Sequence, residues 1–160
     1  MDHLFTPWRQ AYVTHARSSE SCVLCDLAAE DSSNDARSFI LQRARHHFLV
    51  LNIYPYNTGH LMIVPYQHAA RLSALSAGSI AEMFDLAVRV EKVLLEVYRP
   101  EGINLGMNLG TCAGAGIADH LHLHVVPRWS GDTNFMTVSG GTRVLPEDLP
   151  GTWSKLQGRF

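Results

Sequence analysis

Three histidines in strict alternation, His120, His122 and His124, are the residues of this chain best suited to do chemistry. Leu121, Leu123 and Val125 fill the places between and after them. The pattern predicts a β-strand, whose successive side chains leave opposite faces. At about 3.3 Å rise per residue, the three rings stand roughly 6–7 Å apart along one face. A single histidine on a strand is ordinarily a satisfied polar residue. Three in a row are hard to explain as packing, because imidazole titrates near neutrality, ligates metals and attacks phosphorus or carbonyl centres.

A neutral ring can attack a nucleotide's α-phosphorus if one nitrogen is unprotonated and the other donates to an acceptor that sets the tautomer. A bare imidazole is a poor nucleophile towards an anion, so donors must surround the phosphate. The run 110–116, Gly-Thr-Cys-Ala-Gly-Ala-Gly, can supply them, since glycine lets backbone N–H groups approach phosphate oxygens. Alone it reads as a flexible surface loop; directly before the triad it reads as a cradle, with Gly114, Ala115 and Gly116 closest to the histidines in sequence. Asn108 at the loop entrance offers an amide to phosphate or a turn cap. Cys22 and Cys25 form a CxxC pair, which is either half of a metal site or two structural thiols. A closed zinc site needs two further ligands, for which His68 and His120 are candidates.

The run HLHLHVV resembles the signature of the histidine triad family, in which hydrophobic residues alternate with three histidines. Asn108 and the glycine-rich run before the triad, 48–52 (FLVLN) and 57–65 (NTGHLMIVP) extend the likeness across residues 22–128. The stretch GAGIADHLHLHVVPRWSGDTNF, with Pro7-Trp8-Arg9, is most similar to a bacterial branch of diadenosine tetraphosphate phosphorylases and hydrolases. The resemblance implies a five-stranded half that pairs with a second subunit into a homodimer. It implies that His122 is the nucleophile of a covalent nucleotidyl-histidine, supported by His124. It places Asn52 on the ribose and His60 in support, where the bare residues read as turn and strand-edge polar groups. It also implies zinc on Cys22, Cys25, His68 and His120. That zinc would be structural and would remove His120 from catalysis. The CxxC departs from the commoner CPFC form only in its middle residues. Trp129 could close over the substrate, or fill a dimer interface with Trp8. Phe48 and Ile53 could stack on a base, although core packing suits them better.

The elements that must hold these residues follow from periodicity. Residues 7–14 suit a short helix, and 30–37 a polar loop. Strands are predicted over 38–42, 47–52 and 60–65, with a turn at 54–59. Ser79, with Glu82 three residues on, forms a capping box that opens a long helix. Ile80, Met83, Phe84, Ala87, Val90, Leu94 and Tyr98 follow helical spacing, with Glu91 the polar exception. Pro100 and Gly102 stop it. Another strand spans 103–109, then come the loop and the triad strand, and the last 30 residues read as irregular. This order predicts an α+β fold with a mostly antiparallel sheet and one long helix. A chain of 160 residues suits one domain, 1–160, with its core at about 22–128.

Hydrophobic content of 46% and charged content of 18% are those of a globular protein. A net charge of −2 offers no basic field to nucleic acid. No apolar run approaches the ~20 residues of a membrane span, and the first residues lack a signal peptide's pattern, so cytoplasm is the expectation. The leading reading is an enzyme that cleaves dinucleoside polyphosphates or nucleotide conjugates through His122, with no organic cofactor. A nucleotide-binding regulatory module with little turnover would use the same residues. A metallohydrolase with zinc on the triad itself would need an acidic partner, and Asp119 falls on the opposite face by alternation.

Overall fold

The computed structural model describes residues 21–133 and 145–160. Five strands make one antiparallel sheet: β1 Ile40–Arg43, β2 His47–Leu51, β3 Leu61–Pro65, β4 Gly102–Gly106 and β5 Leu123–Arg128. Their order across the sheet is β1-β2-β3-β5-β4. Helices α1 Val23–Ala29, α2 Ala77–Tyr98 and α3 Leu149–Leu156 complete the α+β fold that the element order predicts. β5 is antiparallel to both β3 and β4, so those two run parallel to each other, and α2 is the crossover between them.

The pleat divides the chemistry from the core. On one face Leu49, Ile63, Leu123 and Val125 pack with Met83, Leu86, Val90 and Leu94 of α2. On the other, Phe48, Val50 and Val64 pack with Leu24 of α1. Met62 pairs with His124 and Val50 with Met62, so His124 stands on the face away from α2. The long helix therefore supports the His124 face of the sheet from behind without covering it.

Several boundaries differ from the sequence reading for identifiable reasons. Ser76 caps α2, not Ser79; its hydroxyl accepts the Ser79 N–H at 3.1 Å from an extended backbone. Glu82 closes no capping box and instead accepts the His46 N–H at 2.7 Å and meets His47 Nδ1 at 3.1 Å. The buried face of α2 is also rotated: Leu86 and Val93 are inside, whereas Phe84 is 51% exposed. β4 ends at Gly106, because residues 107–109 leave the ladder to enter the glycine loop. The sequence reading assigned no helix at α1 or α3. In α3 the Asp148 carboxylate accepts the Gly151 N–H at 2.9 Å, and Trp153 Nε1 donates to the Ile40 carbonyl at 3.1 Å. Pro150 suits a first turn, where its missing N–H would have no intrahelical partner, and cap and packing offset the cost of Gly151. The predicted helix at 7–14, with Trp8, lies outside the described residues.

Candidate active site

The three histidines do not share one environment. β5 starts at Leu123, so His120 and His122 precede the ladder and only His124 lies within it, opposite Met62 and Gly106. The Leu121 N–H donates to the Ala69 carbonyl at 2.7 Å, and this single bond, with Leu121 buried in the core, keeps the approach extended. His120 turns towards the two thiols, whereas the rings of His122 and His124 meet edge to face at 4.6 Å.

Hydrogen-bond chemistry assigns the tautomers. A carbonyl oxygen can only accept, so His122 Nδ1, 3.0 Å from the His120 carbonyl, carries the proton. The lone pair of neutral His122 is then at Nε2. The Tyr56 N–H can only donate, so His60 Nδ1, 3.0 Å away, accepts. The His60 proton sits on Nε2, which lies 2.9 Å from His124 Nδ1 and donates to it. His124 is left with its own proton on Nε2. One ring thus offers a lone pair while its neighbour offers a donor.

Electrostatics keep the set neutral. Burial, aided by the neighbouring His124 and His122, lowers His60 to about 3. Burial, then His122, lowers His124 to about 4. Burial also lowers His122, against the opposing pull of the His120 carbonyl.

Around these rings the structure places the other sequence-predicted residues as follows. Asn52 accepts the Tyr54 N–H through Oδ1 at 2.9 Å, and its Nδ2 lies 3.4 Å from His60 Nδ1. Phe48 is wholly buried in the core behind α1, and Ile53 is 54% exposed. Of that pair only Ile53 presents a surface to a base. Asn108 Nδ2 lies 3.4 Å from the Gly114 carbonyl, drawing the glycine loop closed on itself. Gly110 and Gly114 have φ of 94° and 86°, in the left-handed region, and a short 3-10 turn, Thr111–Ala113, lies between them. Gly114 and Gly116 are exposed and Ala115 is half-buried. The Trp129 N–H donates to Asp132 at 3.3 Å.

Two residues beside the rings were not singled out from the sequence. Tyr56 lays its ring 4.7 Å from that of His60 and 5.8 Å from that of His124. Asn57 is buried, and its Nδ2 donates to the Pro127 carbonyl at 3.0 Å and to Asp132 at 2.9 Å, tying the turn to the end of β5. Asn57-Thr-Gly59 was legible as turn chemistry and as part of the likeness over 57–65, but not as a tie to β5.

A second cluster abuts the first. Donor atoms of Cys22, Cys25, His68 and His120 all lie within 4.8 Å of one another. His120 Nδ1 is 3.3 Å from Cys22 Sγ and 3.4 Å from Cys25 Sγ, and His68 Nδ1 is 3.3 Å from Cys25 Sγ. His120 Nε2 donates to the Pro65 carbonyl at 2.9 Å, so its Nδ1 lone pair faces the thiols. Two thiols and two imidazoles with lone pairs directed inward could hold a metal ion. Among the described residues, no other group of three or more such side chains converges in this way.

Comparison with known proteins agrees with this geometry. The HIT domain family model matches residues 33–131. A Mycobacterium tuberculosis protein named AP-4-A phosphorylase is 39% identical over 157 residues, covering 95% of this chain and 80% of its own. The adenosine 5'-monophosphoramidase hnt1 of Schizosaccharomyces pombe is 30% identical, over 88% of this chain and 98% of its own. Among solved structures, a zinc-bound histidine triad family protein from Mycobacterium smegmatis aligns with a TM-score of 0.68 at 28% identity, over 87% of this chain and 92% of that one. With its triad, its sheet and the family match in agreement, the chain belongs to the HIT family.

Proposed function

We propose that this protein cleaves dinucleoside polyphosphates, of the diadenosine tetraphosphate kind, through a nucleotidyl-His122 intermediate. The observation that carries the reading is the Nδ1 anchor of His122 on the His120 carbonyl, which leaves Nε2 as a lone pair beside the donor ring of His124. In the first half-reaction Nε2 forms a bond to the α-phosphorus and the bond to the bridging oxygen breaks. His124 Nε2–H donates to the departing polyphosphate or to a phosphate oxygen. The Gly114 and Ala115 N–H groups donate within the loop to the Thr111 and Gly110 carbonyls, so Gly116 is the one of the three whose backbone N–H would meet a phosphate; Asn108 shapes that loop, and Asn52 and Trp129 bound the nucleoside.

In the second half-reaction an oxygen nucleophile attacks the same phosphorus and the P–N bond breaks, restoring neutral His122. The name of the 39% identical relative favours inorganic phosphate over water as that nucleophile. Diadenosine tetraphosphate then yields ADP and ATP; water would give AMP and ATP. Chromatography of products with and without phosphate tests the acceptor. Trapping nucleotide covalently on His122, located by mass spectrometry, tests the intermediate. A protein that binds nucleotide without forming the adduct or turning over would be the regulatory module instead.

The four Cys and His ligands suit a structural zinc. Bonds of about 2.3 Å to sulfur and about 2.0 Å to nitrogen put tetrahedral sulfur–nitrogen edges near 3.5 Å, which the 3.3 and 3.4 Å separations approach. With its lone pair committed there, His120 acts on catalysis only through its carbonyl. A homodimer completes the proposal. Its support is the open edge at β4, where Leu105 is 52% exposed, and the apolar Phe84, Val88 and Leu95 exposed on α2.

A further inference from the structure

The reaction outlined above uses His122 and His124 but leaves unexplained why an exposed aromatic lies against the supporting pair. We propose that Tyr56 is a positioning residue: its backbone N–H sets the tautomer of His60 and, through it, of His124, and its ring shields both from water. The inference rests on the nucleotidyl-transfer reading for its consequence, but not for its geometry.

Each step of that geometry is observed. The Tyr56 N–H donates to His60 Nδ1 at 3.0 Å, and the side chain of Asn52 approaches the same nitrogen at 3.4 Å. With Nδ1 held as an acceptor, His60 can donate only from Nε2, at 2.9 Å to His124 Nδ1. A flipped tautomer anywhere along this line would put two protons or two lone pairs face to face. The Tyr56 ring lies tilted on both imidazoles, at 4.7 and 5.8 Å. The turn that carries it is not free to drift, because the buried Asn57 amide grips the Pro127 carbonyl and Asp132.

Among the described residues the groups around this pair come from the turn, the triad segment and the start of α3, where Glu147 lines the same cavity as His60 and is engaged by Lys155 and Tyr98. His60 is faced by Tyr56 and Asn52 from its own turn and by His124 and His122 from the triad segment. His124 is faced by His60, Tyr56 and His122, with Met62 and Gly106 opposite it on the flanking strands. The carboxylate at the edge of the turn, Asp132, is occupied by Arg128 and Asn57. Burial is the largest cause lowering both rings, and the Tyr56 ring packs against each of them.

Nitrogen-15 spectra of the imidazoles in the wild-type protein should show both His60 and His124 protonated at Nε2 and neutral well below pH 6. Tyr56→Ala should raise the His124 midpoint by about one pH unit as water reaches the pair. The acid limb of the kcat profile should rise with it. Tyr56→Phe, which keeps ring and backbone, should leave midpoint and profile in place. An Nδ1-protonated ring in the wild type, or an unmoved midpoint in Tyr56→Ala, overturns the proposal. So does a Tyr56→Phe variant that behaves like Tyr56→Ala, since the hydroxyl would then be the active part. If the midpoint moves as expected but no adduct ever forms on wild-type His122, the tautomer lock stands and nucleotidyl transfer falls.

Discussion

A nucleophilic imidazole must be bare at one nitrogen and anchored at the other, and His122 meets both conditions through a carbonyl two residues away. His122→Ala should therefore abolish adduct formation and lower turnover by several orders of magnitude. Nucleotide affinity by calorimetry should change little, because loop and ribose contacts remain. Turnover near wild type in that variant would remove His122 from the mechanism. The histidines themselves were legible in the sequence, since alternation is a property of side chains. Their protonation was not. The atoms that set it are the His120 and Pro65 carbonyls and the Tyr56 N–H, and backbone atoms leave no signature in residue types.

Between residue and fold, the turn 52–60 delivers His60 to His124, and Gly59 is where it tightens. Gly59 has φ of 76°, and a Cβ there would come 3.2 Å from Pro127 Cγ and 3.5 Å from Leu94 and Tyr98 side-chain atoms. Gly59→Ala should cost about 1–2 kcal/mol for the left-handed backbone alone. In a chain of this length that lowers the Tm by roughly 2–8 °C, and turnover should fall further as His60 shifts. Calorimetry and kinetics on the same variant separate the two effects; unchanged Tm and rate would show that the turn absorbs a methyl. At the start of α2, Ser76→Ala should cost about 1 kcal/mol as the cap is lost, measured by urea unfolding, and no loss would return the cap to Ser79. The strands were legible within one to three residues because their apolar runs are bounded by turns. The cap and buried face of α2 were less so. Ser79 with Glu82 has the capping-box spacing, but Glu82 is drawn to His46 and His47 instead, and Phe84 belongs to the helical stripe yet lies outside the packed arc. α1 and α3 are 7 and 8 residues long, and helices that short owe their existence to tertiary contacts.

At the scale of the molecule, the β4 edge of the sheet and one face of α2 are exposed among the described residues. β4 presents exposed residues along most of its length, and Leu105, Phe84, Val88 and Leu95 are all between 47 and 52% exposed. An exposed strand edge and an exposed apolar helix face each invite a second copy. Light scattering at micromolar concentration should give twice 17.8 kDa, and Leu105→Lys should shift it towards the monomer. A wild-type mass of 17.8 kDa would count decisively against the dimer.

The Cys and His cluster joins distant parts of the chain. Cys25 is 43 residues from His68 and 95 from His120 along the chain, so zinc would close two long loops and tie α1 to the triad segment. Closing loops of that length constrains the unfolded chain most, and ligands drawn from distant segments couple metal binding to folding. Elemental analysis of protein purified without chelator or affinity metal should find one zinc per chain. Cys22→Ser should lose it. Even about 3 kcal/mol of lost stabilisation lowers the Tm by roughly 6–12 °C at this size. Activity should respond differently from stability. His120 Nδ1 faces the thiols, but the His120 carbonyl holds the His122 tautomer, so turnover should decline only as the segment between them loosens. A chelator that lowers the Tm while turnover persists at low temperature fits this division. Immediate loss of turnover with an unchanged Tm would make the metal catalytic, and protein that never carries metal would end the zinc proposal and return His120 to the catalytic set.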